Sequence, residues 1–315
     1  MKFNLGRKRP QPALGQKAAS TGAGTTTTRA AGTKLDAEHN YLPFPASIEE
    51  TITYLHQVVE QGGEAARQYK NLSYELLQLA LGMQVLDVGC GPGIDLLSLA
   101  DRVGPQGRVI GLDHSPAQLH TAREAIAGRD NVQLVEGKAE QLPFDTDQFH
   151  RVRADRVLQH IEEPAQALAE MWRVLQPGGI LTLIEPDWKI IAIFPGSPAG
   201  GDDDHTLNTV LAYNQRHFKH ALIGRQLFSL LHQQGKQAWE HAQIQVVAYP
   251  FTSWSVTSTV LALTQSAQAL AEEEPMLADD ISAWLQAVGE ADARGNFLAI
   301  IPLFFASARK KPQSI

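Results

Sequence analysis

Nine consecutive residues, Val85-Leu86-Asp87-Val88-Gly89-Cys90-Gly91-Pro92-Gly93, carry the densest chemical signal in the chain. Gly89, Gly91 and Gly93 let the backbone turn sharply and approach a ligand with no Cβ in the way. Asp87 comes just before them, where a carboxylate accepts hydrogen bonds from an ammonium group, directly or through water. Asp113 stands twenty residues beyond Gly93, a spacing that suits an acid accepting both hydroxyls of a ribose. Glycines with a distant acid also describe a dinucleotide site. That fingerprint wants a small residue three positions after its second glycine, and here the position is Ile94. A carboxylate at Asp87 is equally unwelcome beside a pyrophosphate. A cofactor with a ribose and an amino-acid tail, but no phosphate, fits better.

Other residues invite particular chemistry one at a time. His160 follows a strand-like run, and an imidazole titrates near neutral pH, which suits a base taking a proton from a nucleophile. Its alternative role is packing against a ligand or capping a helix. Asp155 and Arg156 either line a substrate pocket or pair with each other. Glu185 and Asp187 either orient a polar or cationic substrate or remain solvated loop acids. Arg225, in Ile223-Gly224-Arg225-Gln226, either holds a substrate carboxylate or makes a structural salt bridge. Asp202-Asp203-Asp204-His205 has metal-ligand residue types, but consecutive side chains point different ways and no matching cluster lies elsewhere, so no metal is expected. Cys90 is the single cysteine, which excludes an internal disulfide and a Cys-rich zinc site; in the glycine loop its role is to be small. Tyr41 and Tyr69 precede the glycine loop and either close a pocket or simply pack.

The elements that position these residues alternate. Apolar runs at 84–88, 108–112, 132–136, 149–153 and 180–184 read as strands, and 94–100, 116–127 and 164–175 read as helices between them. Strands alternating with helices imply a parallel sheet covered on both faces. Pro177-Gly178-Gly179 marks a tight turn before the fifth strand, where glycine supplies positive φ. Upstream, 47–81 has helical spacing. Downstream, 195–204 reads as a loop, 222–234 as a helix ended by Gly235, and 244–249 as a sixth strand. The stretches 253–271 and 275–288 read as helices, and 297–306 as a last strand.

Composition narrows the partners. The chain has 315 residues and a net charge of −7, with 43% hydrophobic and 19% charged residues, as expected of a soluble globular protein. Residues 1–35 hold seven Lys or Arg and no acid, so the remainder carries −14. An acidic body is a poor nucleic-acid binder, because neutralising phosphates requires a basic surface. No apolar run approaches the roughly 20 residues that span a bilayer, and no signal peptide is visible. The expectation is a cytoplasmic monomer or homodimer acting on a small molecule.

Residues 85–188 resemble the class I S-adenosylmethionine-dependent methyltransferases, in their ubiquinone/menaquinone-methyltransferase-like branch. The likeness rests on the nine-residue loop and Gly111-Leu112-Asp113, then Ala139-Glu140-Gln141-Leu142-Pro143-Phe144. Val157-Leu158-Gln159-His160 and Arg173-Val174-Leu175-Gln176-Pro177-Gly178-Gly179 complete it. These five ordered motifs span a third of the chain. The resemblance implies a Rossmann-like, doubly wound α/β fold with a seven-stranded sheet, the last strand running antiparallel between its neighbours. It implies S-adenosylmethionine as cofactor, with Gly89 and Gly91 against the methionine part and Asp113 on the ribose. Ala139 and Glu140 would flank the adenine and Leu142 would give an apolar wall; Cys90, Gly93, His114 and Ala154 join the cofactor set. Lys138 and His150 stand where the family commonly has Asp.

The chain then divides into a disordered basic tail (1–35), a helical segment closing over the cofactor (36–82) and a methyltransferase domain (83–310). Helical inserts at about 189–240 and 253–290 supply a substrate lid, and their apolar character suggests an aromatic or terpenoid-like acceptor methylated at O, N or C. An NAD(P)-dependent oxidoreductase and a non-catalytic S-adenosylmethionine-binding protein are the competing expectations. Asp87 and Ile94 weigh against the first of these. The intact glycine loop and Asp113 indicate a cofactor site that has not decayed, without proving turnover.

Overall fold

The computed structural model describes residues 62–194, 205–233 and 238–312. The basic tail, Tyr41, the first part of the 47–81 helical pattern, Gly235 and the Asp202-Asp203-Asp204 run lie outside the described residues.

The central sheet begins with β1 (Gln84–Val88), β2 (Arg108–Asp113), β3 (Val132–Glu136), β4 (Phe149–Asp155) and β5 (Leu175–Pro186). These five pair in parallel in the order β3-β2-β1-β4-β5. The chain winds outward from β1 to β3 and then returns to place β4 against the other side of β1. Ligands in such sheets bind beyond the carboxyl ends of the strands at this reversal. The glycine loop leaves β1 at that point. Asp87 pairs in register with Gly111 on one side and Arg153 on the other.

Three further described strands complete the sheet: β6 (Ala192–Phe194), β7 (Trp239–Phe251) and β8 (Leu298–Lys310). β8 runs antiparallel between β5 and β7, as the resemblance implied, and is longer than the 297–306 expected. Among the described residues the sheet has eight strands where seven were expected. The additional β6 is a continuation of the β5 edge: β5 reaches Leu303 of β8 at Pro186, and β6 resumes at Ile300. A single 3-10 turn, Trp188–Ile190, interrupts them, and Asp187 caps it by accepting the Lys189 N–H. Pro177-Gly178-Gly179 does not separate helix from strand, since β5 starts at Leu175. Gly178 adopts φ 78° where the β4 pairing shifts register, so the glycine bends a continuous strand.

The helices among the described residues are α1 (Gly63–Leu77), α2 (Leu96–Val103), α3 (Pro116–Ala125), α4 (Pro164–Val174), α5 (His205–Gln215), α6 (Ile223–Gln233), α7 (Trp254–Leu261), α8 (Leu263–Glu273) and α9 (Ala278–Ala293). The single helix expected over 253–271 is two, broken at Ala262 with φ 52°. Asn214 of α5 explains the break, because its Nδ2 donates to the freed Leu261 carbonyl at 2.7 Å and to Ser266 Oγ at 2.9 Å. The α5 helix falls within the helical insert expected at about 189–240.

Two apolar cores matter for the site. One joins the sheet to α4 and α6 through Leu86, Val152, Leu168 and Leu227. The other lies among α5, α8, α9, β6 and the start of β8, through Trp188, Leu211, Leu270, Trp284 and Ile301. The inserts therefore bury a core of their own beside the strand ends. Among the described residues no helix is long and apolar enough to cross a membrane.

Candidate functional site

The glycine loop is shaped from both sides. Gly89 has φ 69°, and a Cβ placed there would come within 2.5 Å of Val157 Cγ2. Only glycine permits that approach together with that backbone conformation. The Gly91 N–H donates to Asp113 Oδ2 at 2.9 Å, and the Ser115 N–H donates to Oδ1 at 2.9 Å. One carboxylate at the end of β2 thus ties the glycine loop to the start of α3.

Beneath the loop lies a buried ion cluster. Arg153 is 1% exposed and donates through Nη1 to Asp87 Oδ1 (2.8 Å) and through Nη2 to Asp95 Oδ2 (3.1 Å) and Asp155 Oδ2 (2.7 Å). Lys70 of α1 donates to the same Asp95 and Asp155 oxygens at 2.5 and 2.7 Å. Tyr74 donates its hydroxyl to Asp95 Oδ1 at 2.5 Å. Burial pushes Asp87 up to about 6, against the pull of Arg153. Burial pushes Asp95 the same way, but Arg153 and Lys70 overcome it and hold that carboxyl below the usual range. Arg151 adds a second tie, donating to the carbonyls of Leu77 and Gln78 at the end of α1. Charges on β4 therefore fasten α1 over the carboxyl ends of the sheet.

Above this cluster a cavity of about 580 Å³ opens, with Gly62, Ala65, Ala66, Tyr69 and Lys70 of the α1 region among its walls. One end holds Gly89, Cys90, Gly91, Asp113, Ala139 and Glu140. The other is apolar: Trp188 and Phe218 stack at 4.3 Å, flanked by Ile191, Val260, Leu261 and Ile301. Trp188 is oriented by donating Nε1 to Gln159 Oε1 at 2.8 Å. His160 borders the same space with its ring centroid 5.5 Å from that of Phe218.

Most of the expected site residues meet here. Asp87, Gly89, Cys90, Gly91, Asp113, His114, Ala139, Glu140, Asp155 and His160 all line the cavity. Burial first, with Asp113 and Asp87 adding to it, raises the Cys90 thiol and keeps it protonated, in keeping with a packing role. Of the two departures, Lys138 lines the cavity and forms a bridge with Gln141, whereas His150 Nδ1 accepts the Gln84 N–H at 3.0 Å at the start of β1.

Four of the expected residues stand outside the cavity lining. Gly93 packs the loop on α3, where a Cβ would meet Ala122 Cβ at 3.1 Å, and it is not among the cavity walls. Ala154 points into the sheet core beside Val88. Glu185 is fully buried behind the wall and accepts the N–H groups of Val157 (2.9 Å) and Leu158 (2.6 Å). Arg225 also stands away from the cavity. Its guanidinium pairs with Asp187, with Nη2 at 2.8 Å from Oδ1, and so pins α6 to the turn after β5.

Asp155 reaches the cavity, but its Oδ2 is committed to Lys70 and Arg153. Lys70, Tyr74, Asp95 and Arg153 were not anticipated. Arg153 had a readable signal, because a charge inside a strand buried on both faces requires a partner.

Residues 79–251 match the family model described as a methyltransferase domain. An uncharacterized 37.1 kDa protein in transposon TN4556 of Streptomyces fradiae is 33% identical over 274 residues, covering 85% of this chain and 74% of that one. Demethylmenaquinone methyltransferase of Listeria monocytogenes is 36% identical over 130 residues, covering 39% of this chain and 55% of the enzyme. That of Staphylococcus carnosus is 40% identical over 118 residues, covering 38% and 49%. The chain spans about half the length of these enzymes. Among solved structures, the YcgJ protein of Bacillus subtilis has a TM-score of 0.53 at 17% identity, covering 79% of this chain and 100% of that one. Phosphoethanolamine N-methyltransferase 2 of Haemonchus contortus has 0.52 at 17%, covering 84% and 58%. At these identities the two structures share the fold.

Proposed function

The chain belongs to the methyltransferase-domain family and is a class I S-adenosylmethionine-dependent methyltransferase, and from that premise we propose that it methylates a small molecule with a largely apolar, aromatic body. One observation carries the acceptor reading: a single cavity runs from the glycine loop to the Trp188–Phe218 wall. A donor end and an apolar chamber sharing one space is the arrangement that methyl transfer to such a molecule needs.

The donor end fits the cofactor. A Cβ at Gly89 would close the cradle onto Val157, and the buried Asp113 faces the same space. Gly89, Cys90 and Gly91 would hold the methionine part, Asp113 the ribose, and Ala139 and Glu140 the adenine. When bound, the cofactor supplies an electrophilic methyl group on a sulfonium. The chain contributes position and dryness, through the fastened α1 helix, the aromatic wall and the insert core. His160 lies in the same space and serves as the base where the accepting atom must lose a proton. The acidic body supports a small molecule over a nucleic acid. The demethylmenaquinone methyltransferases among its relatives support a ring compound of apolar character, although that match covers only part of the chain.

Methyl-labelled S-adenosylmethionine, offered with hydroxylated naphthalenes and prenylated hydroquinones beside a peptide pool and transfer RNA, tests the acceptor class. Label is expected in the aromatic set. Label confined to peptide or RNA would refute the reading.

A further inference from the structure

The end of β5 holds a carboxyl that is not among the walls of the cavity. Glu185 is 0% exposed, and its Oε1 alone receives the Val157 and Leu158 amides. Among the described residues its Oε2 has no hydrogen-bond partner. A buried, half-satisfied carboxyl is costly, and an apolar side chain of similar size would avoid the cost. What the two amides belong to explains its presence.

They open the turn that follows β4. Arg156 enters this turn with φ 58°, its N–H donating to the Ile184 carbonyl at 2.7 Å, and the His160 N–H closes the turn on the Val157 carbonyl at 3.0 Å. The turn touches each working part of the site. Val157 lies against Gly89, where only a missing Cβ leaves room for it. Gln159 holds the indole of Trp188, and His160 faces the cavity beside Phe218. One carboxyl oxygen therefore fixes a turn that bears on the glycine loop, the aromatic wall and the imidazole together.

We propose that Glu185 is the positioning residue of this site, clamping the 157–160 turn against the glycine loop and thereby setting where His160 stands relative to the cofactor cradle. The inference rests on the proposed role of His160. It assigns Glu185 no contact with substrate or cofactor.

Three variants of the full chain test it: Glu185→Gln, Glu185→Leu and Glu185→Asp. The readouts are the pH titration of the His160 ring by NMR, assigned by its loss in His160→Gln, and S-adenosylhomocysteine affinity by calorimetry. Glutamine keeps an oxygen facing both amides and is expected to leave the His160 titration as in the parent protein. Leucine removes the acceptor, and aspartate withdraws it by one methylene. Each is expected to move the midpoint by about half a unit or more, and S-adenosylhomocysteine affinity is expected to fall by about threefold or more in the same variants, because Val157 of this turn lies against Gly89. The aspartate variant decides the matter if the leucine variant does not fold.

A His160 titration unchanged in the leucine or aspartate variant overturns the proposal, whatever the loss of stability. So does a glutamine variant that moves it as far as leucine does. Failure of the parent protein to bind S-adenosylhomocysteine would instead strike the cofactor assignment, and the His160 readout is independent of it.

Discussion

Arg153 stands directly opposite Asp87 in the parallel pairing of β4 with β1, and its Nη1 donates to Asp87 Oδ1 at 2.8 Å. The pair belongs to a buried cluster of three carboxyls, Asp87, Asp95 and Asp155, against two cations, Lys70 and Arg153. Removing one partner of a buried ion pair leaves an uncompensated charge. Replacing Arg153 by methionine should therefore cost about 3–5 kcal/mol in urea unfolding. A loss below about 1 kcal/mol would mean that the cluster contributes no more than a surface pair does.

Asp113 accepts two backbone N–H groups and faces the glycine-loop end of the cavity. Asp113→Asn keeps an oxygen for one amide and loses the charge. Calorimetry should show S-adenosylhomocysteine affinity falling by about tenfold or more, equivalent to about 1.4 kcal/mol. Affinity equal to that of the parent protein would remove Asp113 from the cofactor set.

Gly89→Ala meets two obstacles, a φ of 69° and a Cβ within 2.5 Å of Val157 Cγ2. The loop must shift, so cofactor affinity should fall while the sheet survives. Chemical-shift changes confined to the glycine loop and the turn after β4 would mark that outcome. Unchanged affinity with an undisturbed loop would show that the close approach is not needed.

His160→Gln tests the base. Once an acceptor is found, the variant should lose the acidic limb of the pH–rate profile and about two orders of magnitude in rate, the lower end of a general-base contribution. A profile and rate equal to the parent's leave His160 a packing residue beside Phe218.

Burial pushes Glu185 up to about 8 from an ordinary 4.5, despite the opposing pull of the Leu158 and Val157 amides, and Asp155 adds to the rise. The folded state thus holds this proton more tightly than the unfolded chain does. Its contribution to stability is fully present below about pH 4.5 and is lost as the pH rises to about 8. Glu185→Gln has no such proton, so the stability of the parent protein relative to this variant should fall steadily between pH 5 and 8. Urea midpoints across that range measure it. A constant difference would mean that the carboxyl titrates alike in both states.

The glycine-loop half of the cavity was legible because its parts are local. A strand, three glycines and an acid at the end of the next strand occupy about thirty contiguous residues, and their φ and ψ needs are written in residue type. The aromatic half was not. Glu185 and Arg225 looked like substrate contacts because they flank strand and helix ends, yet one turns inward to bind backbone amides and the other pairs with Asp187 across 38 residues. The break at Ala262 was equally hidden, since its cause is Asn214 on another helix.

By itself, then, the sequence determined the alternation of the first five strands with their helices, the glycine loop that leaves the first strand, and the acid that closes the second. Hydrophobic periodicity and glycine freedom act over a few neighbouring residues, and both are visible there. The tertiary structure alone decided that Arg153 reaches Asp87 across 66 residues, that Lys70 fastens α1 to them, and that Trp188 meets Phe218 to form the far wall. A buried charge must find its partner wherever the fold brings one, and that pairing depends on strand register and helix docking.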